Sequence, residues 1–461
     1  MKYNSILSRI DKSKNKVIHI GLDDTDSILG RCTTQLAFKI TGYLLKNRCC
    51  QFLDYPLLIR LNPNIPWKTR GNGAVCLRIM ARDHQRIIEY ITQVVEDGSD
   101  LKNGANPGII FFSGENIPEE VKEFSNIAMF DLLTRQKAEK IAQKYNMQYF
   151  VRGNGQGLVG SLGAIGCLLH EDHTFEAIAY RMFENCGTRR KVDPYKVLKF
   201  SNETFPHTFN NYDLNHKRIL IAPHGPDPIF CGIRGEDPEI VVSSLKRLEL
   251  EEKLDGYMVF RSNQGTNMHL RNELKLRNIK AYTAGYLRCI VNTKPYIIQG
   301  GHLIFTVKDS TGIVFPAAIY APTDLVGIAS DLEIGDSIEL GCGVRKDTLT
   351  HPKILNVEYL SVLTLVHVYR AFNPLCKCCG KRMKSEGRNK GFQCDKCKYK
   401  GTYLERTYIA KNRNINLGLY IPTPKSQRHL TKPAHRYGME KQKGYLNTRS
   451  NLFPRWFASS S

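Results

Sequence analysis

The 461-residue chain has no apolar run approaching the roughly 20 residues a membrane-spanning helix needs. It also carries no basic amphipathic helix and no lipidation signature. Its first residues, MKYNSILSRIDKSKNK, lack the apolar stretch of a secretory signal, so a cytoplasmic protein is expected. Acidic side chains are scarce: 44 Asp and Glu stand against 66 Lys and Arg, a formal charge of +22 with an isoelectric point near 9.4. A surplus of that size calls for a polyanionic partner, and with the membrane features missing, nucleic acid is the expected one. A K-x-D-G motif is also missing, which argues against ligation through a lysyl-AMP intermediate. The 14 cysteines do not read as a disulfide framework, since nine are scattered, Cys49-Cys50 among them, and five lie within 22 residues of one another. Reduced thiols and one metal site fit that distribution.

What the chain does have is a dense cluster of acid near its start. Gly21-Leu22-Asp23-Asp24-Thr25-Asp26-Ser27 is followed by Arg31-Cys32-Thr33-Thr34. Three carboxylates within four residues repel one another unless a cation neutralises them, and hard oxygen ligands select Mg²⁺. Lys16 to Leu22 has the apolar, β-branched texture of a buried strand, and a helical spacing begins at Thr34. The acids therefore occupy a strand-to-helix turn, where backbone N–H groups and a helix N-terminus favour a nucleotide triphosphate. The alternative is a solvated turn at Asp23-Asp24, with Asp26 and Ser27 capping the helix.

Further along, Trp67-Lys68-Thr69-Arg70-Gly71-Asn72-Gly73 is a basic glycine turn entering a strand at Ala74–Ile79. It suits either close approach to phosphates or a plain hairpin. Thr134 to Tyr145 has the pattern of an amphipathic helix. In the following run, VRGNGQGLVGSLGAIG, Gly155, Gly157 and Gly160 match G-x-G-x-x-G. Without a clear acidic ribose partner, a tight turn and a closely packed small-residue helix over 158–169 are favoured over dinucleotide binding. A strand is expected at 218–222, then a polar glycine turn through Ile229-Phe230-Cys231-Gly232-Ile233-Arg234-Gly235-Glu236. Arg234 there suits a phosphate or a developing charge, or a surface ion pair with Glu236. Tyr257–Phe260 reads as a strand leading into the donor-rich loop 261–267, which could face a ligand.

From Ala284 to about Leu365, roughly five strands separated by turn residues suit an OB-fold barrel, a common oligonucleotide binder, or a small barrel with another role. Two C-x₂-C knuckles follow, Cys376/Cys379 and Cys394/Cys397, the ligand set of a saturated, structural zinc site. Cys378 is a fifth thiol inside the first knuckle. Lys377, Lys381, Arg382, Arg388 and Lys396 are among the cations that make this ribbon a candidate nucleic-acid clamp. From Arg406 onward there are 11 Lys and Arg and one acid, Glu440. This stretch, with Tyr437, Tyr445, Phe453 and Trp456 interleaved, reads as a segment that orders on RNA or as a soluble tail.

Taken in order, G-L-DDTDS, CTT, the RGN turn, GNGQGLVGSLGAIG, CGIRGE, FRSNQGTNMHL, the barrel, the ribbon and RHLTKP resemble the archaeal tRNA(Ile) 2-agmatinylcytidine synthetases over nearly the whole chain. The resemblance implies a ligase in which ATP activates the wobble cytidine of the CAU-anticodon tRNA(Ile) and agmatine replaces its C2 oxygen, so that the tRNA decodes AUA. ATP would end as AMP and two phosphates, and Thr33 would be the phosphorylated threonine. Asp23, Asp24 and Asp26 would hold Mg²⁺ and the triphosphate. Ser27, Thr34, Lys68, Arg70, Gly71 and Asn72 are the further cofactor-binding candidates, and Arg234 would return to the active site. The expected architecture is a multidomain α+β chain: a kinase-like α/β domain (1–125 and 196–280) with an inserted ferredoxin-like domain (126–195), an OB-fold (281–367), a zinc ribbon (370–405) and a basic C-terminal tail (406–461). The departures from the family pattern are Ile28-Leu29 before Gly30, Cys378, and an N-terminal extension of about 15 residues. A stacked cytidine cannot react at C2, so the base must flip out at a cost of a few kcal/mol. No acidic partner for the agmatine guanidinium is identifiable from the sequence.

Overall fold

A computed structural model describes residues 16–69, 71–442 and 452–460. Arg70, Tyr445 and the first 15 residues lie outside them. The chain divides into two compact units, one formed by Met1–Leu287, Gly341–Glu358 and Ile421–Ser461, the other by Arg288–Leu340 and Tyr359–Tyr420.

In the first unit, β1 (Lys16–Asp23) leads into α1 (Thr33–Lys46), then β2 (Cys50–Phe52), β3 (Leu57–Arg60), β4 (Gly73–Ala81), α2 (His84–Gly98) and β5 (Gly108–Ser113). After these come α3 (Glu119–Ala128), α4 (Arg135–Lys144), β6 (Gln148–Val151), α5 (Gly157–Gly166) and β7 (Thr174–Arg181). α6 (Pro194–Thr204), the short β8 (Thr208–Phe209), β9 (Tyr212–Asp213) and β10 (Arg218–Ile219), β11 (Ile229–Gly235), α7 (Pro238–Arg247) and β12 (Leu254–Ser262) complete the series.

Nine of these strands form a path β6-β5-β1-β4-β3-β12-β7-β11-β8, with β2 added on β4. Pairing along it is antiparallel except between β3 and β12, so the acidic turn follows a strand flanked by antiparallel neighbours. The strands of 126–195 have no sheet of their own: β6 extends the edge at β5, and β7 lies between β12 and β11. Alternating side chains serve two cores. Ile18, Ile20, Leu58, Val75 and Leu77 pack with α1 and α2, while Leu57, Ile59, Cys76, Ile110 and Phe112 pack with α3, α4 and α5.

The glycine run is spent on packing. A Cβ on Gly21 would lie 2.2 Å from Ser161 O, and one on Gly108 would lie 2.2 Å from Leu158 N, so α5 rests directly on β1 and β5. The segment expected as a glycine turn at 229–235 is instead β11: its apolar residues Phe230, Cys231 and Ile233 are buried, and pairing with β7 outweighs the glycines.

The barrel contains β13 (Ala284–Val291), β14 (Tyr296–Ile297), β15 (Leu303–Lys308), β16 (Val314–Ile319), the one-turn α8 (Val326–Ala329), β17 (Ser337–Arg345) and β18 (Ile354–Thr364). Five strands run β13-β17-β18-β16-β15, and a β13–β15 pairing closes the ring. Beyond it, β19 (Tyr369–Phe372) pairs with β23 (Thr407–Ala410), and these flank the small ribbon sheet of β20 (Lys384–Ser385), β21 (Phe392–Gln393) and β22 (Lys400–Gly401).

The basic C-terminal stretch is not a loose tail over its described residues. β24 (Gly418–Tyr420) adds to β18, and β25 (Phe457–Ser459) adds to β12. Trp456 is buried against Phe52 and Tyr55. The reason is charge compensation. Arg436 is fully buried, paired with Asp172 at 2.8 Å and with Glu236, while Lys441 also bonds Glu236 at 2.7 Å. The acids that neutralise this segment come from distant parts of the chain. Among the described residues, no helix is long and apolar enough to cross a membrane.

Candidate functional site

A cavity of about 360 Å³ opens where β1 ends. Asp23, Asp24 and Asp26 line it together with Cys32, Thr33 and Thr34 from the start of α1. Lys68, Thr69, Gly71 and Asn72 line it from the glycine turn, and Arg60, Gln156 and His429 complete the polar surface used below. Residues far apart in sequence thus converge on the acidic turn.

Asp23 fits because α5 has no side chain at Gly160, where a Cβ would meet the Asp23 carboxylate oxygen at 1.8 Å. Burial, then the neighbouring Asp24, hold the Asp23 carboxyl well above the ordinary range. Asp24 has φ +56° and is also pushed up by burial, although Gln156 Nε2 donates to it at 2.8 Å and Thr69 Oγ1 at 3.3 Å. Carboxyls that are costly to ionise in each other's company are a suitable donor set for a divalent cation, which removes that cost when bound. Thr33 is the first residue of α1, buried, with its hydroxyl 3.0 Å from that of Thr25. The α1 N-cap is Cys32, with no side-chain cap, so Asp26 and Ser27 do not cap this helix.

Several predicted residues stand elsewhere than expected. Ser27 does not line the cavity: its hydroxyl donates to Asp100 at 2.5 Å and accepts from Leu29 N, which pins the turn. Lys68 lines the cavity, but its ammonium donates to the carbonyls of Pro63 (2.6 Å) and Ile65 (3.3 Å). Asn72, at φ +48°, donates to Asn62 O at 2.8 Å. Arg234 lies one side chain behind the wall, with Nε donating to Glu176 at 3.2 Å and Nη2 to His429 Nδ1 at 3.0 Å. Its expected alternative partner, Glu236, is occupied by Arg436 and Lys441. The loop after β12 faces inward: Arg261 pairs with Asp54, and Asn263 clamps the main chain of Arg60 through bonds of 2.8 and 2.9 Å.

Sequence reasoning missed Arg60, Gln156 and His429 as site residues. Arg60 ends an ordinary apolar strand and Gln156 sits in a glycine turn, so neither carried a signal. His429 belongs to RHLTKP, a motif noticed without a role.

In the ribbon, the Sγ atoms of Cys376, Cys379, Cys394 and Cys397 all lie within 4.8 Å of one another, with contacts of 3.3 Å (Cys376–Cys397) and 3.4 Å (Cys379–Cys394). A tetrahedron with bonds of about 2.3 Å has edges of about 3.8 Å, so the thiols fit zinc. Cys378 is exposed and outside the group.

These features recur in known proteins. A protein of Cenarchaeum symbiosum (strain A) named as a tRNA(Ile) 2-agmatinylcytidine synthetase, TiaS, is 40% identical over 421 residues, 91% of this chain and 93% of its own length. The chain belongs to the tRNA(Ile) 2-agmatinylcytidine synthetase family. An Archaeoglobus fulgidus synthetase is 34% identical over 92% of this chain and 98% of its own. Models of the TiaS TCKD domain, the TiaS FLD domain and the TiaS C-terminal zinc ribbon domain match residues 19–154, 155–269 and 373–415. Among solved structures, a complex of TiaS with its isoleucine tRNA and ATP is 33% identical with a TM-score of 0.82, covering 91% of this chain and 97% of that one. A complex of TiaS with the same tRNA, AMPCPP and agmatine is 30% identical with a TM-score of 0.80 at the same coverage. As a 2-agmatinylcytidine synthetase family member, the chain has its boundary between the first two matched domains at residues 154 and 155, in the glycine turn that brings α5 under Asp23.

Proposed function

We propose that this chain converts the wobble cytidine of the CAU-anticodon tRNA(Ile) to 2-agmatinylcytidine at the expense of ATP. The observation that carries the reading is the meeting of the Asp23-Asp24-Asp26 turn and Thr33 on one cavity, in a chain 40% identical to a synthetase of that name. The pyrimidine C2 oxygen is a poor leaving group until it is phosphorylated. The agmatine amine then attacks C2, the C2–O bond breaks with loss of phosphate, and the amine nitrogen releases its proton. ATP yields AMP and two phosphates.

In this reading the three aspartates hold Mg²⁺, which when bound neutralises triphosphate charge. Thr33, at the N-terminus of α1, is the phosphorylated hydroxyl. Thr34, Lys68, Gly71 and Asn72 border the nucleotide, with Arg70 expected beside them. Ser27 acts by tying the turn to Asp100. Residues 1–125 and 196–280 form the kinase-like part and 126–195 the ferredoxin-like part, supported by a phosphate site at a strand end and helix start. Zinc keeps the ribbon folded, and the ribbon, the barrel and the net positive charge hold the tRNA.

The test is mass spectrometry of anticodon nucleosides after incubating zinc-loaded protein with ATP, agmatine and candidate tRNAs. Agmatinylated cytidine appearing only in the CAU-anticodon tRNA(Ile), with AMP release requiring both co-substrates, is expected. Correctly folded protein that makes none would sink the assignment.

A further inference from the structure

Opposite the acidic wall the cavity has a second, cationic one. His429 is fixed there by main-chain bonds: Gly265 N donates to His429 O at 2.9 Å and Asn267 N to Leu430 O at 2.8 Å. Its Nδ1 receives a hydrogen bond from Arg234, and since a guanidinium can only donate, Nδ1 is the acceptor and the proton of the neutral ring sits on Nε2. Arg234 is aimed by Glu176, whose other oxygen accepts from Gln264 Nε2 at 2.5 Å. Nε2 abuts Gly71, where a Cβ would lie 3.0 Å from it and 2.5 Å from Arg60 Nη1. Arg60 makes no ion pair among the described residues, its Nε has no hydrogen-bond partner, and its one side-chain bond is a long one to Gly71 O, 3.5 Å. A cation held without a carboxylate, beside a ring N–H and a bare glycine backbone, is a site for an anion. Arg60, burial and Arg234 together keep His429 from protonating.

We propose that Arg60 and the Nε2–H of His429 form the wall that binds the phosphate chain of the nucleotide, and that Arg234 is a positioning residue that sets the His429 tautomer. The proposal rests on the reading that this cavity takes ATP. It gives the C-terminal segment a direct part in the site.

The experiment is titration of the full-length, zinc-loaded protein with inorganic tripolyphosphate in Mg²⁺, with adenosine as the control ligand. R60Q is expected to weaken tripolyphosphate at least tenfold, R60K less, and neither to change adenosine binding. H429A should weaken it several-fold, while H429Q, which returns an N–H near Nε2, should recover part of the loss. The ¹⁵N spectrum of His429 should report an Nε2-protonated ring in the wild type and lose that signature in R234Q, an effect general destabilisation does not produce. Unchanged tripolyphosphate affinity in both R60Q and H429A, or a ring protonated on Nδ1 in the wild type, overturns the proposal. None of these readouts needs turnover. A protein that binds tripolyphosphate through Arg60 and His429 but makes no agmatinylcytidine refutes the proposed function and leaves the anion wall standing.

Discussion

Asp23 and Gly160 act as one unit, because the carboxylate occupies the space a side chain on α5 would take. Gly160→Ala puts a methyl 1.8 Å from a carboxylate oxygen, so the acid must move. A misplacement of about 1 Å in a reacting site costs on the order of 10²-fold in rate. G160A is therefore expected to lose about that factor in agmatinylcytidine formation, measured by nucleoside mass spectrometry, while tRNA affinity stays near wild type. Wild-type turnover in G160A would show that Asp23 need not sit where it does. Thr33→Ala should abolish the modification and leave tRNA binding nearly intact. Loss of binding alone would assign Thr33 a folding or docking role.

Among the elements, the ribbon and the C-terminal segment are held by different physics. Four thiolates on one metal fold a small element with little core, here Met383 and Phe392 beside the ligands. Cys394→Ser is expected to release the zinc, read with a chromogenic chelator, whereas Cys378→Ser should retain one equivalent, because Cys378 stands outside the thiol group. The C-terminal segment depends on buried ion pairs instead. Arg436→Met leaves Asp172 and Glu236 buried with less than their full charge compensation, and losing one partner of such a network costs about 3–5 kcal/mol. Denaturant unfolding of R436M should show a loss of that order, together with weaker nucleotide binding as His429 loosens. A variant as stable as the wild type would mean that the segment is held by its apolar contacts alone.

For the molecule as a whole, stability should depend on pH through histidines that fold as neutral rings. His19, between Arg78 and Gly114 O, and His173, near Arg261, are each pushed down to about 3, mainly by burial. A folded-state value below the unfolded 6.5 gives stability that is complete above pH 6.5 and lost as pH falls toward 3. Each ring contributes about 1.4 kcal/mol per pH unit in that window. Urea midpoints at about pH 7, 5.5 and 4.5 should fall accordingly, and His19→Gln should flatten the slope; an unchanged slope would exclude His19 as a source.

The sequence by itself determined the acidic strand-to-helix turn, the four zinc thiols, the barrel strands and the close-packed glycine helix. Each is written in a short stretch whose spacing and residue types suffice: carboxylates crowd over four residues, knuckles close over a few, and apolar alternation marks a strand. Tertiary structure alone decided that 229–235 is a strand, because that depends on the β7 partner rather than on its glycines. It also decided that the basic C-terminal stretch packs, because Asp172 and Glu236, which neutralise Arg436, lie far away in the chain. The same holds for the cationic wall. Arg60, Arg234 and His429 share no local pattern, and only the folding of the sheet and the return of the C-terminal segment bring them together.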